Sequence, residues 1–212
     1  ARFSRCAQGG GPPRCVNDAS PFTLRRLTDS LRIATIVLAA GASSRMGTNK
    51  MLLEFEGEPL VRRAVQSAQS AGSACIVVVL GHEPERIKAV LTGMNCEFAT
   101  NPDFTGPTSG SLHCGLRKLP GDCDAAVVML GDMVHVTSTM LRAVVSAAGQ
   151  GDPPLVVSRY GNVTAPPLLF RRSLFDELLA WTGEGCGKAV VRTHAHEAAY
   201  VDWPPSALAD VD

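Results

Sequence analysis

The sequence predicts a doubly wound α/β domain, in which a mostly parallel β-sheet carries helices on both faces. From Ile33 onward, short runs of β-branched and apolar residues alternate with longer segments of helical periodicity. Three of the predicted strands are unbroken apolar runs, as expected for strands that are buried on both faces of a parallel sheet. Ligands of such domains bind beyond the carboxyl ends of the strands.

Residues 1–31 precede this alternating pattern and contain the segment AQGGGPPRCVNDASP, whose composition disfavours helix and strand alike. We therefore interpret them as an N-terminal extension, poorly ordered or peripheral, and assign residues 32–212 to the domain. The segment FTLRRLTDSLRI has the spacing of a short amphipathic helix. A basic targeting peptide is the alternative, which Asp18 and Asp29 disfavour.

Four strands are predicted by runs of apolar, largely β-branched residues. The runs are IATIVLA at 33–39, CIVVVL at 75–80, AAVVML at 125–130 and PLVVS at 154–158. Because functional side chains of a parallel sheet gather where its strands end, the residues directly after Ala39, Leu80 and Leu130 are the first candidates for chemistry.

Three helices are predicted around these strands. Apolar residues between positions 60 and 71 recur at i, i+4 and i+8, which places them on one helical face. Thr137 is a suitable N-cap for a second helix, whose apolar residues lie between positions 140 and 148. Apolar residues at 174–179 indicate a third helix.

Composition excludes several classes of partner. Basic and acidic residues each total 20, so the formal net charge is zero. Because no basic stripe or polybasic run is present, nucleic acid and anionic membranes are not expected partners.

The seven cysteines form no C-x-x-C pair, so we expect reduced thiols and a cytoplasmic location. No apolar run approaches the roughly 18 residues that cross a bilayer, and no secretory signal is recognisable.

The segment AAGASSRMGTNK follows the first predicted strand. Its small residues let the backbone approach a ligand closely and direct N–H groups toward it. Arg45 and Lys50 would add the cationic side chains that suit a polyphosphate. The spacing matches neither a P-loop nor a dinucleotide G-x-G-x-x-G motif. The alternative is a plain strand-to-helix turn shaped by Gly41 and Gly47, with both cations solvated.

The order of residues from Leu38 to Leu53, L-A-A-G-x-S-x-R-M-G-x-x-K-x-L-L, resembles the signature of MobA-like NTP transferases, which attach CMP or GMP to the molybdenum cofactor. The resemblance implies a Rossmann-like fold of the nucleotide-diphospho-sugar transferase type, with this loop around the triphosphate. Leu38 and Ala39 would lie near the base, and Arg45 and Lys50 would neutralise the departing pyrophosphate. The nucleotide-binding residues implied here are Leu38, Ala39, Ala40, Gly41, Arg45 and Lys50.

Two aspartates are the candidate metal ligands. Asp132 follows the third predicted strand, where an aspartate could also merely cap the next segment. The segment GDM resembles the family motif whose aspartate binds Mg²⁺, although Val134 stands where the family usually has proline. The terminal segment ALADVD resembles the start of the family motif D-x-D-T-P-E-D, which implies Asp212 as a second ligand. Carboxylate and phosphate oxygens are the ligands that Mg²⁺ prefers.

The segment NPDFTGPTSGSLHCGL, residues 101–116, resembles the family segment that contacts the base and ribose. On this resemblance Ser109, Gly110 and Ser111 are nucleotide-binding residues, while Pro107 stands where the family has glycine. Taken alone, Thr108 to Ser111 also fit the start of a helix.

The segment WTGEGCGKAVV, residues 181–191, resembles the family motif G-D-x-G-A-R-x-L-L, which is associated with the acceptor. Glu184, Cys186 and Lys188 replace the family's aspartate, glycine and arginine. These three replacements leave open whether the acceptor differs or whether the match is accidental.

Together the motifs resemble a Mg²⁺-dependent nucleotidyltransferase, in which an acceptor phosphate attacks the α-phosphorus of an NTP and pyrophosphate leaves. The A-A-G form of the loop resembles the cytidylyl branch, so CTP and molybdopterin are the first choice of substrates, with a molybdenum hydroxylase apoenzyme as a further partner. One alternative changes the acceptor to a sugar phosphate or other alcohol phosphate. Another is a non-catalytic module that binds and delivers the finished dinucleotide cofactor.

Overall fold

The computed structural model describes residues 31–41 and 49–208. Within these ranges the chain forms nine strands and six α-helices. They are β1 (Ile33–Ala39), β2 (Glu54–Phe55), β3 (Glu58–Pro59), α1 (Leu60–Ser70), β4 (Cys75–Leu80), α2 (Pro84–Val90), β5 (Glu97–Thr100), α3 (Thr108–Lys118), β6 (Ala125–Leu130), α4 (Ser138–Ala148), β7 (Leu155–Tyr160), β8 (Val163–Arg171), α5 (Phe175–Ala180), α6 (Cys186–Thr193) and β9 (Ala199–Trp203). Among the described helices, none has the length and apolar character needed to span a membrane. Most of the predicted extension, residues 1–30, lies outside the described ranges, so that assignment stays a prediction.

Seven of the strands form one sheet in the order β5-β4-β1-β6-β8-β7-β9, and β2 pairs with β3 in a separate antiparallel hairpin. In the large sheet β8 runs antiparallel to both of its neighbours, and the other pairs are parallel. This topology confirms the predicted α/β fold with a mostly parallel sheet.

The sheet separates two hydrophobic cores, and successive residues of its central strands alternate between them. In β1, Val37 belongs to the first core and Ile36 to the second, since neighbouring side chains of a strand point to opposite faces. Helices α1, α2 and α4 supply residues such as Val61, Ile87 and Leu141 to the first core. Helices α3, α5 and α6 supply Leu112, Leu178 and Val190 to the second. Both faces are covered, which explains why the central strands consist almost entirely of apolar residues.

The predicted strands 33–39, 75–80 and 125–130 are confirmed with the same bounds, and the fourth is shifted slightly, to Leu155–Tyr160. The three predicted helices correspond to α1, α4 and α5. Thr137 is the N-cap of α4, because its side chain accepts a hydrogen bond from the backbone N–H of Met140 at 3.3 Å.

The carboxyl ends of β1 and β6 lie side by side. After β1 the chain continues to β4 and β5 on one side of the sheet, whereas after β6 it continues to β7, β8 and β9 on the other. Such a reversal of strand order opens a crevice in which α/β proteins bind ligands. The two ends are joined directly, since the N–H of Gly131 donates to the carbonyl oxygen of Leu38 at 2.9 Å.

Candidate functional site

Lys50 and Asp132 meet at the adjoining ends of β1 and β6. The Nζ atom of Lys50 lies 3.3 Å from Oδ2 of Asp132, and the two side chains are only 14% and 17% exposed. Because both are sheltered from water, salt screens their attraction less than that of a surface pair. The structure therefore brings the cation that the sequence predicted for phosphate together with the carboxylate that it predicted for metal.

Asn49 fixes the backbone that carries Lys50. Its buried side chain caps the short 3₁₀-helix Lys50–Leu52, and Oδ1 accepts a hydrogen bond from the N–H of Met51 at 3.1 Å. Its Nδ2 donates to the carbonyl oxygen of His82, again at 3.1 Å. Asn49 thus ties the Lys50 segment to the residues that follow β4. Sequence reasoning missed this residue, although asparagine ahead of a helical turn is a recognised N-cap.

Two glycines allow the loops after the central strands to pack closely. A Cβ atom at Gly81 would lie 2.4 Å from both the carbonyl oxygen of Ala40 and the Cβ of Phe104. At Gly131 it would lie 2.8 Å from Sδ of Met51. A side chain at Gly81 would force the loops apart, because the atoms it meets are backbone and Cβ atoms, whereas at Gly131 the Met51 side chain would have to shift.

The predicted nucleotide-binding residues at the end of β1 have different degrees of exposure. Ala39 and Ala40 are buried, Leu38 is partly buried and Gly41 is exposed. Ala40 also contacts the residues after β4, since its carbonyl oxygen accepts from the N–H of His82 at 3.4 Å. Arg45 and Gly47 lie in residues 42–48, and Asp212 lies in residues 209–212, all outside the described residues.

A buried polar cluster forms where β5 leads into α3. The side chain of Asn101, which is 3% exposed, donates through Nδ2 to Oγ of Ser111 at 3.0 Å and to the carbonyl oxygen of Asp103 at 3.3 Å. Its Oδ1 accepts from the N–H of Asp103 at 3.1 Å. Ser109 is also buried, and Gly110 packs beside Asn101. Sequence reasoning gave Asn101 no role, although asparagine before proline is a common turn signal.

The predicted helix start at residues 108–111 is confirmed, since α3 begins at Thr108. Glu184 of the predicted acceptor segment contacts this helix start, where its Oε2 accepts from Oγ1 of Thr108 at 2.9 Å. The backbone carbonyl of Glu184 accepts from Nε1 of Trp181 at 3.2 Å. The two segments that the resemblance assigned to nucleotide and acceptor are therefore neighbours, and Lys188 of the second is exposed.

Cys186 is a structural residue of α6. It is 2% exposed, and its thiol donates to the carbonyl oxygen of Leu178 at 3.3 Å. Burial, reinforced by the charge of Glu177, raises the pKa of Cys186 to about 11. A thiol with such a pKa is protonated at neutral pH and is a poor nucleophile.

The described residues include no group of three or more His, Cys, Asp or Glu side chains arranged to hold a metal ion. Of the two predicted metal ligands, only Asp132 lies within the described ranges. Its carboxylate is a hard oxygen donor of the kind that Mg²⁺ and Mn²⁺ accept. A divalent ion at Asp132 would therefore need further ligands besides the described His, Cys, Asp and Glu side chains. Phosphate oxygens of a nucleotide are suitable ligands for such an ion.

Residues 35–198 match the sequence model of the MobA-like NTP transferase domain family. Among curated proteins, the bifunctional protein GlmU of Kineococcus radiotolerans is 34% identical over 129 residues, which cover 58% of this chain and 26% of that protein. The chain thus spans about a quarter of the length of the curated relatives it matches.

Solved structures share the fold. Rv0371c from Mycobacterium tuberculosis superposes with a TM-score of 0.78 at 24% identity, over 87% of this chain and 94% of that one. A manganese complex of Rv0371c has a TM-score of 0.71 at 23% identity, over 83% and 90% of the two chains. A nucleotidyl transferase from Methanothermobacter thermautotroptrophicus has a TM-score of 0.72 at 24% identity, over 85% and 91%.

Proposed function

We propose that this chain, which belongs to the MobA-like NTP transferase domain family, transfers a nucleotidyl group from an NTP to a phosphate-bearing acceptor and releases pyrophosphate. The observation that carries this proposal is the Lys50–Asp132 pair at the adjoining ends of β1 and β6. A triphosphate site needs a cation for its anionic oxygens and a carboxylate for the accompanying metal. This pair offers both at one place, where two central strands end.

In the proposed reaction, an oxygen of the acceptor phosphate attacks the α-phosphorus in line, and the bond to the pyrophosphate breaks. Lys50 would bind the oxygens of the leaving pyrophosphate, with Arg45 as a second cation. Asp132, with Asp212, would hold Mg²⁺ or a similar divalent ion. When bound, that ion would neutralise charge on the α-phosphate. The protein would contribute positioning and charge stabilisation rather than covalent chemistry.

A continuous set of loops supports the proposed placement of the nucleotide. Ala40 contacts the residues after β4, where a Cβ at Gly81 would clash with it, and Phe104 of the β5–α3 loop packs on the same glycine. The ring of Phe104 also lies 5.9 Å from that of His82. Ala40, at the end of β1, and the loop that leads to Ser109, Gly110 and Ser111 therefore both pack against Gly81.

We propose CTP as the donor and molybdopterin as the acceptor, on the strength of the A-A-G form of the loop after β1. A sugar phosphate or other alcohol phosphate is the second candidate acceptor, which the replacements at Glu184, Cys186 and Lys188 favour. The third candidate is a non-catalytic module that delivers a finished dinucleotide cofactor to a molybdenum hydroxylase apoenzyme.

A matrix assay of pyrophosphate release separates these candidates. The purified chain is incubated with each of the four common NTPs against molybdopterin and a panel of sugar 1-phosphates, with Mg²⁺ or Mn²⁺. We expect release with CTP and molybdopterin. Release with sugar phosphates alone would favour the second candidate. Binding of a dinucleotide cofactor without turnover of any NTP would favour the third and contradict the enzymatic proposal.

A further inference from the structure

The salt bridge between Lys50 and Asp132 places a cation of the protein beside the carboxylate proposed for metal. The Nζ atom lies 3.3 Å from Oδ2, and both side chains are largely shielded from water. Mg²⁺ binds carboxylate oxygens at about 2.1 Å. A divalent ion at this oxygen would therefore lie near the ammonium group, and their repulsion is strong where solvent is largely excluded.

A divalent ion that arrives alone would find little compensation for this repulsion among the described residues. They include no cluster of three potential ligands, and the charge of Asp132 is already balanced by Lys50. An NTP offsets this repulsion because its oxygens supply additional metal ligands and give the ammonium group of Lys50 a new partner.

The geometry also allows Lys50 to change partner without a change in the backbone. Asn49 anchors the start of the 3₁₀-helix through its bonds to Met51 and His82. The lysine side chain has a flexible four-carbon stem, so its ammonium group can move while its Cα stays in place.

We propose that Lys50 is the resident counter-ion of Asp132, and that it disfavours divalent metal at this carboxylate until an NTP draws the ammonium away. This inference rests on the proposed function and assigns a second role to the same residue. Lys50 then has opposite effects on two equilibria. It weakens the binding of metal alone and strengthens the binding of metal with nucleotide.

The test compares Mn²⁺ binding by the wild-type chain and the Lys50→Gln variant, followed by electron paramagnetic resonance. With Mn²⁺ alone, we expect the variant to bind on the order of tenfold more tightly, because a neutral amide replaces the ammonium. With Mn²⁺ and a non-hydrolysable CTP analogue, we expect the variant to bind more weakly than the wild type. A merely structural role of Lys50 would weaken both.

Two further variants serve as controls. Lys88→Gln removes a partly exposed lysine that pairs with Glu85 at 2.8 Å in α2, and it should leave both affinities unchanged. The double variant Lys50→Gln/Asp132→Asn should lose the gain in Mn²⁺ affinity. Retention of the gain would place the ion elsewhere and overturn the inference.

If circular dichroism shows that Lys50→Gln is folded, unchanged or weaker binding of Mn²⁺ alone by this variant contradicts the inference. If the wild type still catalyses nucleotidyl transfer, the proposed function survives that failure. If Lys50→Gln gains Mn²⁺ affinity but no NTP is turned over by the wild type, the proposed enzymatic function fails instead.

Discussion

Lys50 and Asp132 belong to different motifs that are far apart in the sequence, yet their charged groups lie 3.3 Å apart. Sequence reasoning predicted both residues, because each follows an apolar strand at the same edge of the sheet. It did not predict their direct contact, since that distance depends on how Asn49, Gly81 and Gly131 let the loops pack. The residues that position the site were therefore harder to recognise than the residues that bear its charges.

Replacement of Lys50 should weaken the binding of a nucleoside triphosphate more than that of a nucleoside monophosphate. We expect Lys50→Ala to weaken binding of CTP roughly tenfold to a hundredfold, since a charge-assisted hydrogen bond is lost, and to change binding of CMP far less. Isothermal titration calorimetry with the two nucleotides measures both effects. Lys88→Ala in α2 is the control and should match the wild type. Equal losses for CTP and CMP would show that Lys50 has only a structural role.

His194, at the end of α6, should make stability depend on pH. Its Nε2 lies 2.7 Å from Oε2 of Glu177 and its Nδ1 lies 3.2 Å from Oε1 of Glu197. Hydrogen bonds to Glu177 and then to Glu197 raise the pKa of His194 above its ordinary value. The folded state thus favours the protonated ring. The resulting stabilisation is complete below about pH 6.5 and is lost as pH rises through the raised pKa.

Urea unfolding of the wild type and of His194→Gln measures this contribution. The difference in free energy of unfolding should be largest at about pH 6, at no more than about 1 kcal/mol because the pair is near the surface, and should shrink toward about pH 9. A difference that is constant or grows with pH would contradict the assignment.

Among the elements, α3 shows how glycine sets the distance between a helix and the sheet. A Cβ atom at Gly115 would lie 2.6 Å from Cγ2 of Ile36 and 3.1 Å from Cγ2 of Val79, so α3 packs directly on β1 and β4. Gly110 lies in the same helix, but there a Cβ would approach Nδ2 of Asn101 only to 3.4 Å. The two glycines are therefore a matched pair for mutation.

We expect Gly115→Ala to destabilise the fold by about 1–3 kcal/mol, because an added methyl group overpacks the core. Gly110→Ala should be neutral or stabilising by up to about 1 kcal/mol, because alanine favours the helix. Thermal or urea unfolding of the two variants checks this difference. Equal destabilisation by both substitutions would show that Gly115 does not set the distance between α3 and the sheet.

The central elements could be predicted from sequence because burial on both sides leaves a simple pattern. Strands β4 and β6 are apolar throughout, β1 is apolar except for Thr35, and α1 and α4 each bury one apolar face. Strand β8 was missed because Pro166 and Pro167 lie within it, and proline normally argues against a strand. Strands β5 and β9 form the edges of the sheet and bury fewer of their residues, so their apolar signal is weak.

For the whole molecule, the order of strands has the largest consequence for function. Strand order cannot be deduced from periodicity, because a run such as CIVVVL does not specify its neighbours. The observed order places β1 between β4 and β6, so Ala40 packs against the β4–α2 loop and Lys50 contacts Asp132. The resemblance in sequence implied this arrangement, and the fold explains why motifs separated in sequence can serve one reaction.

The most direct test of nucleotidyl transfer at this site follows the fate of the α-phosphorus. The wild-type chain and Asp132→Asn are incubated with CTP labelled at the α- or the γ-phosphate, a divalent ion and molybdopterin. We predict that the wild type transfers the α-label to the acceptor and releases the γ-label as pyrophosphate. Asp132→Asn should remain folded and be slower by at least about a hundredfold. Transfer of the γ-label to the acceptor, or equal rates for both proteins, would contradict the account.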